Sequence, residues 1–257
     1  MLEQATEILG KSRPRCAESR VKDGEMLRIL KALGRGYGSE RSTAEYEMGY
    51  IFFLRGVFDV AILHFDSSAK HAKGAGDVVG AGISQCLAWH IRFVTGRCGA
   101  KGFETILNKV RSQFEIEAST RPDALRWKMN VKAHLFDIAA LTSNAAEAER
   151  RFHALEEDAW FHANPSNWDN QLRGRCALAL GRFAEAVHQF RHFLRTESHQ
   201  RTRSEQEARV YWELGRALRG LNRKTGAFHV WKKGLKCCAD DLGNKLWKMR
   251  IRAELDA

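Results

Sequence analysis

Two histidines, His188 and His192, stand four residues apart, which places both imidazoles on one side of a helix, where they could begin a zinc site. The other features of a zinc site are missing. No glutamate lies between the two histidines in the metalloprotease arrangement, and no third ligand is evident, although His199 follows. The pair also flanks Phe190, which the apolar pattern assigns to the core. We therefore interpret both as surface histidines, and we predict no metal site and no cofactor.

The short motifs of common enzyme classes are not found in the sequence either. It contains no nucleophile elbow, phosphate-binding loop, paired-carboxylate motif or cysteine–histidine signature. The glycine-rich run at residues 34–38 follows a helix candidate, whereas phosphate-binding and dinucleotide-binding loops follow strands. We therefore predict a protein that is not an enzyme and that has no catalytic residues.

The apolar pattern of this chain predicts that its secondary structure is helical. Only three prolines occur in 257 residues, and no run of alternating β-branched residues bounded by turns indicates a strand. The clearest pattern lies at residues 44–73, where two apolar-periodic segments flank a turn at Gly56 and predict a helical hairpin. An all-α fold follows.

Small and large residues recur at the same offsets in three hairpins. They are Gly49, Phe52, Gly56, Phe58, Ala61 and Phe65; then Gly174, Ala177, Gly181, Phe183, Ala186, Phe190 and Phe193; then Tyr211, Leu214, Gly215, Leu218, Ala227 and Trp231. This spacing resembles the tetratricopeptide repeat, in which small residues let two antiparallel helices nest and aromatic residues fill the seam. A further unit has Phe136 where a small residue belongs. The units recur about every 40 residues, against about 34 in the family, which implies longer helices or loops.

The resemblance implies an all-α, right-handed solenoid of about five antiparallel helical hairpins with capping helices. We expect residues 23–257 to form a single helical-repeat domain, preceded by a flexible basic segment at residues 1–22. The expected hairpins lie at about 40–73, 77–114, 122–162, 166–196 and 204–238, and a C-terminal capping helix is expected at 240–257.

The charge and the cysteines bear on the partners and the environment of the protein. The net charge is +11, and residues 191–257 hold sixteen Lys or Arg against eight Asp or Glu. Such a field attracts anionic partners, although a solvated basic face is an equally good interpretation. The six cysteines show no CxxC spacing, and no stretch reaches the roughly 18 apolar residues of a membrane span. We therefore predict reduced thiols, a cytoplasmic location and no membrane span.

The resemblance also implies a concave groove lined by residues of the first helix of each hairpin. The groove positions in this sequence are Tyr46, Tyr50, Phe53, Trp168, Gln171, Arg175, Arg209, Trp212, Arg216 and Arg219. Aromatic residues supply contact area, and arginines supply forked donors for carboxylate or phosphate groups. We therefore expect a non-catalytic scaffold or adaptor, with a regulatory or chaperone role, that binds an acidic or partly apolar peptide of a partner protein.

Other functions stay open at this stage. The same mixture of side chains suits RNA or single-stranded nucleic acid, through stacking and phosphate pairing. A DNA-binding regulator is a second alternative, because residues 25–47 faintly resemble the start of a helix-turn-helix, although the helix that would read the groove is very apolar. Trp168 and Trp212 could instead be seam residues of long hairpins. Exposed seams at either end could also pair two copies into a homodimer.

Overall fold

The structure is a computed structural model that describes residues 38–54, 56–158, 161, 168–197, 205–240 and 245–257. These residues contain helices and turns and no strand, which confirms the all-α prediction for this part of the chain. The helices are α1 (Ser39–Leu54), α2 (Phe58–Gly74), α3 (Val78–Val94), α4 (Ala100–Glu117), α5 (Pro122–Leu141), α6 (Ala145–Glu156), α7 (Trp168–Ala179), α8 (Phe183–Glu197), α9 (Glu205–Gly220), α10 (Lys224–Asp240) and α11 (Lys245–Leu255). The flexible segment predicted at residues 1–22 lies outside the described residues.

The helices belong to two compact units, and the division falls within α5 after Val131. In the first unit α1 packs on α2, α2 on α3 and α3 on α4. In the second unit α7 packs on α8, α8 on α9, α9 on α10 and α10 on α11. Within these two runs, helices that follow one another in the sequence are therefore neighbours, as a helical repeat requires.

Helix starts and turns use the local chemistry that the sequence offers. The carboxylate of Asp77 caps α3 by accepting the N–H of Gly80 at 3.0 Å, and the Asn144 side chain accepts the N–H of Glu147 at 3.2 Å at the start of α6. Gly56, between α1 and α2, has a φ of 68°, a conformation that glycine adopts without strain. These caps and turns limit each connection to a few residues, so consecutive helices fold back on each other.

Three glycines on first helices receive large rings from the helices that follow them. A Cβ atom at Gly49 would lie 3.0 Å from the ring of Phe65, and one at Gly174 would lie 2.6 Å from the ring of Phe190. Gly215 is crowded still more tightly, by the ring of Trp231. In each case the missing Cβ atom leaves room for an aromatic side chain in the seam between two helices.

The weaker unit of the sequence pattern fills its seam differently. Phe136 of α5 is fully buried, and its ring lies 5.8 Å from the ring of Phe152 of α6, measured between centroids. Arg151 of α6 donates to the backbone carbonyl of Leu135. Two large rings therefore fill the seam between α5 and α6, whereas a glycine and one ring fill the seams at Gly49, Gly174 and Gly215.

Candidate functional site

Four charged side chains of the second unit form a buried ion cluster. The guanidinium group of Arg209 on α9 donates two hydrogen bonds to the carboxylate of Asp137 on α5, from Nη1 to Oδ2 at 2.8 Å and from Nη2 to Oδ1 at 3.0 Å. Its Nε donates to Glu213, one turn later on α9, at 2.8 Å. Arg175 of α7 donates to the other oxygen of Glu213 at 3.1 Å and reaches Asp137 at 3.4 Å. The cluster thus joins α5, α7 and α9.

The cluster holds its charges against the cost of burial. Burial by itself raises the pKa of Asp137, but the charges of Arg209 and Arg175 and a hydrogen bond from Arg209 hold this pKa well below its usual range. Burial by itself lowers the pKa of Arg209, and Asp137 and Glu213 together raise it above the usual value. The two arginine side chains are each only 9% exposed. We conclude that these charges are committed to each other and link the three helices.

Beside the cluster, tryptophans and arginines alternate between α9 and α11. The rings of Trp212 and Trp247 lie 5.6 Å apart between centroids. Arg250 lies 5.1 Å from the centroid of each ring, Arg216 lies 4.9 Å from that of Trp212, and Arg209 lies 5.3 Å from that of Trp247. The negative faces of indole rings attract guanidinium groups at such distances. The stack thus places arginines in fixed positions.

At the edge of this stack, two arginines of α9 meet one carboxylate of α11. Arg219 Nη2 lies 2.6 Å from Oε2 of Glu254, and Arg216 Nε lies 3.7 Å from Oε1. The Arg216 and Arg219 side chains are 41% and 45% exposed, whereas Glu254 is 14% exposed. We call the whole group the Arg–Trp surface; it comprises Trp212, Arg216, Arg219, Trp231, Trp247, Arg250 and Glu254.

The seam at Gly215 positions these arginines. Because Gly215 has no side chain, the Trp231 ring packs directly on α9, and its Nε1 donates to the backbone carbonyl of Trp212 at 3.1 Å. Arg219 then lies 5.4 Å from the centroid of the Trp231 ring. The repeat motif and the arginine positions therefore share one cause, the close approach of α10 to α9.

The electrostatics of the Arg–Trp surface leave an excess of positive charge. Burial, followed by the charge of Arg209, lowers the pKa of Arg250; Glu213 opposes this and Arg216 adds to it. The indole N–H of Trp212 is buried and has no hydrogen-bond acceptor among the described residues. The named side chains of this surface therefore carry three arginine charges against the single charge of Glu254.

The structure places the sequence-predicted residues of the second unit in two environments. Gln171, Arg175, Arg209 and Trp212 are buried, and Gln171 accepts a hydrogen bond from Arg175 at 3.3 Å. Of the predicted residues of this unit whose side chains the structure describes, only Arg216 and Arg219 keep a large exposed fraction, at 41% and 45%. Helix α7 begins at Trp168, whose side chain lies outside the described part of the structure.

The predicted residues of the first unit lie in its core seam. Phe53 is buried, and Tyr46 and Tyr50 pack on the same cluster while remaining partly exposed. The Tyr46 ring meets the edge of Phe65 at 5.6 Å, and the Phe53 ring lies 6.2 Å from that of Phe58. These three residues therefore hold α1 against α2 and α3.

Sequence reasoning missed five residues that complete the site: Asp137, Glu213, Trp247, Arg250 and Glu254. A signal for two of them was present, because Asp137 precedes Arg175 by 38 residues and Glu213 follows it by the same interval. Charges of alternating sign at the period of a repeat predict ion pairs between equivalent helices. Trp247 and Arg250 had no such signal, because they lie on the terminal helix.

The histidine pair and the cysteines add no chemistry to this surface. His188 and His192 are exposed on α8. Across the described ranges, no group of three or more His, Cys, Asp or Glu side chains could hold a metal ion. Cys86, Cys98 and Cys176 are free thiols, and burial raises the pKa of Cys86 to about 12. Among the helices that the structure describes, none combines the length and the apolar character of a membrane span.

No protein-family model matches the chain, and no curated protein matches it significantly.

Proposed function

We propose that this protein is a non-catalytic interaction scaffold of tetratricopeptide-like helical hairpins, and that the Arg–Trp surface binds an acidic segment of a partner protein. The repeated seams at Gly49, Gly174 and Gly215 support the repeat architecture. Sequential helix packing within each unit supports it as well. A right-handed solenoid is the arrangement that we propose for these hairpins.

The observation that carries the binding proposal is the exposure of Arg216 and Arg219 beside buried tryptophans. Each guanidinium lies against an indole ring, at 4.9 Å for Arg216 and 5.4 Å for Arg219, which limits its rotamers before a ligand arrives. Preorganised forked donors bind a carboxylate with less loss of side-chain entropy than free surface arginines. Tryptophan and arginine are also the residues most often found as binding hot spots.

The buried ion cluster has a different role in this proposal. Arg175 and Arg209 are saturated by Asp137 and Glu213, so their charges are not available to a partner without breaking buried pairs. We assign them to the support of α7 and α9 beneath the binding surface. The binding residues proper are then Arg216 and Arg219, with the tryptophans as the apolar floor.

The test is selection of random peptides displayed on phage against the full chain. We expect enriched peptides to combine Asp or Glu with aromatic or aliphatic residues. We also expect a double variant, Arg216→Ala with Arg219→Ala, to lose them. A matched control is Arg191→Ala with Arg223→Ala, which removes the same charge from two exposed positions of the same unit.

Equal binding by the two double variants would show that general basic charge, and not this surface, attracts the peptides. Peptides without acidic residues would exclude the proposed ligand. A chain that selects no peptide but binds single-stranded RNA with a steep salt dependence would move the function to nucleic-acid binding.

A further inference from the structure

Glu254 shows how a carboxylate fits between the two exposed arginines of α9. Its two oxygens address different arginines, with Oε2 on Arg219 at 2.6 Å and Oε1 towards Arg216 at 3.7 Å. The carboxylate is more buried than either of its partners. A group held in this way is positioned by the arginines and is not a solvated surface charge.

The two contacts of Glu254 differ in length, so another carboxylate can improve on the longer one. The Arg219 contact has the length of a charge-assisted hydrogen bond, whereas the Arg216 contact is too long for one. Arg216 is instead held by its indole partner, Trp212. An external carboxylate that reaches both guanidinium groups at hydrogen-bond distance would therefore gain a contact that Glu254 does not make.

From this geometry we propose that Arg216 and Arg219 form a carboxylate subsite that the chain's own Glu254 occupies, and that a glutamate side chain of an acidic partner peptide takes its place. This inference rests on the proposed function, and it adds the ligand group and an intramolecular competitor. When the partner's carboxylate replaces that of Glu254, one set of ion pairs with the two arginines is exchanged for another. The affinity for the partner therefore reflects the difference in binding free energy between the two carboxylates.

The competition has a measurable consequence. Removing the charge of Glu254 frees both arginines without changing the shape of the side chain, as in Glu254→Gln. Partly exposed ion pairs contribute modestly, and two of them correspond to about three- to tenfold in affinity. We expect Glu254→Gln to bind an acidic peptide more tightly by that factor.

The experiment titrates the full chain with fluorescein-labelled hexaglutamate, followed by fluorescence polarisation, with hexaglutamine as the neutral probe. Asp256→Asn is the matched control, because Asp256 is exposed two residues further on and loses the same charge. We expect Asp256→Asn to bind as the wild type does. We expect Arg216→Ala with Arg219→Ala to weaken binding strongly.

A triple variant separates the specific effect from a general gain in positive charge. If Glu254→Gln acts by freeing the arginines, its gain must disappear when Arg216 and Arg219 are both alanine. A gain that persists in the triple variant, or one that Asp256→Asn reproduces, would overturn the inference.

The two proposals fail in different ways. Weaker binding by the arginine double variant, together with no gain from Glu254→Gln, would leave the binding surface standing and remove the internal competitor. Unchanged binding by the arginine double variant would remove the proposed binding surface itself.

Discussion

The seam between α9 and α10 provides a strong test of the packing account, through Gly215→Ala. An added Cβ atom would lie 2.5 Å from Cδ1 of Trp231 and closer still to Nε1, whereas ordinary van der Waals contact begins at 3.4 Å. The Trp231 ring must therefore move by about 1 Å in a packed interior. That movement also endangers the hydrogen bond from Trp231 to the carbonyl of Trp212.

The expected magnitude combines three contributions. Overpacking costs about 1–3 kcal/mol. A weakened buried hydrogen bond costs about 1 kcal/mol. Alanine regains about 1 kcal/mol in a helix interior relative to glycine. The net expectation for Gly215→Ala is a loss of about 1–3 kcal/mol in the free energy of unfolding.

Gly226→Ala in α10 is the matched control. Its added Cβ atom would meet nothing closer than 3.8 Å, so only the gain in helix propensity remains, and stability should rise by up to about 1 kcal/mol. Urea unfolding followed by far-ultraviolet circular dichroism measures both variants. A Gly215→Ala chain as stable as the wild type would refute the close approach of Trp231 to α9.

Three further predictions concern buried groups. Asp137→Asn leaves Arg209 without its forked partner, and it should lower the free energy of unfolding by about 3 kcal/mol in urea titrations at neutral pH. Folding depresses the pKa of Asp137, so the stabilisation that its carboxylate provides is complete above the ordinary pKa of 3.8 and declines as the pH falls below that value. The difference in free energy of unfolding between the wild type and Asp137→Asn should therefore shrink only under acid conditions. Burial raises the pKa of both thiols, but fully buried Cys86 should resist alkylation in the folded chain while partly exposed Cys98 reacts faster, as peptide mass spectrometry would show; equal rates would contradict the described burial.

The helical class and the seams could be predicted from the sequence because they depend on local periodicity. Gly174 with Phe190 and Gly215 with Trp231 each pair a missing side chain with a ring sixteen residues later, and the structure brings both pairs into contact. Helix starts depend on equally local chemistry. The start of α5 at Pro122 and the cap of α6 at Asn144 follow from side chains next to the backbone that they affect.

The roles of the arginines could not be predicted in the same way. By sequence, Arg175, Arg209, Arg216 and Arg219 are alike, since all lie on first helices of the repeat pattern. The structure divides them because Asp137 of α5 and Glu213 of α9 saturate the first two, whereas the last two pair with Glu254 of α11. A pattern read one hairpin at a time does not include such contacts between hairpins.

The central claim is that an acidic ligand binds at the Arg–Trp surface, and the indole N–H resonances of the seven tryptophans report this most directly. We would record proton–nitrogen correlation spectra of the full chain during titration with hexaglutamate and assign the indole signals by single Trp→Phe variants. The account predicts that the signals of Trp212, Trp231 and Trp247 shift, with Trp212 most affected, while those of Trp89 and Trp127 in the first unit stay in place. Shifts confined to Trp89 and Trp127, or no shift of any indole signal, would contradict it.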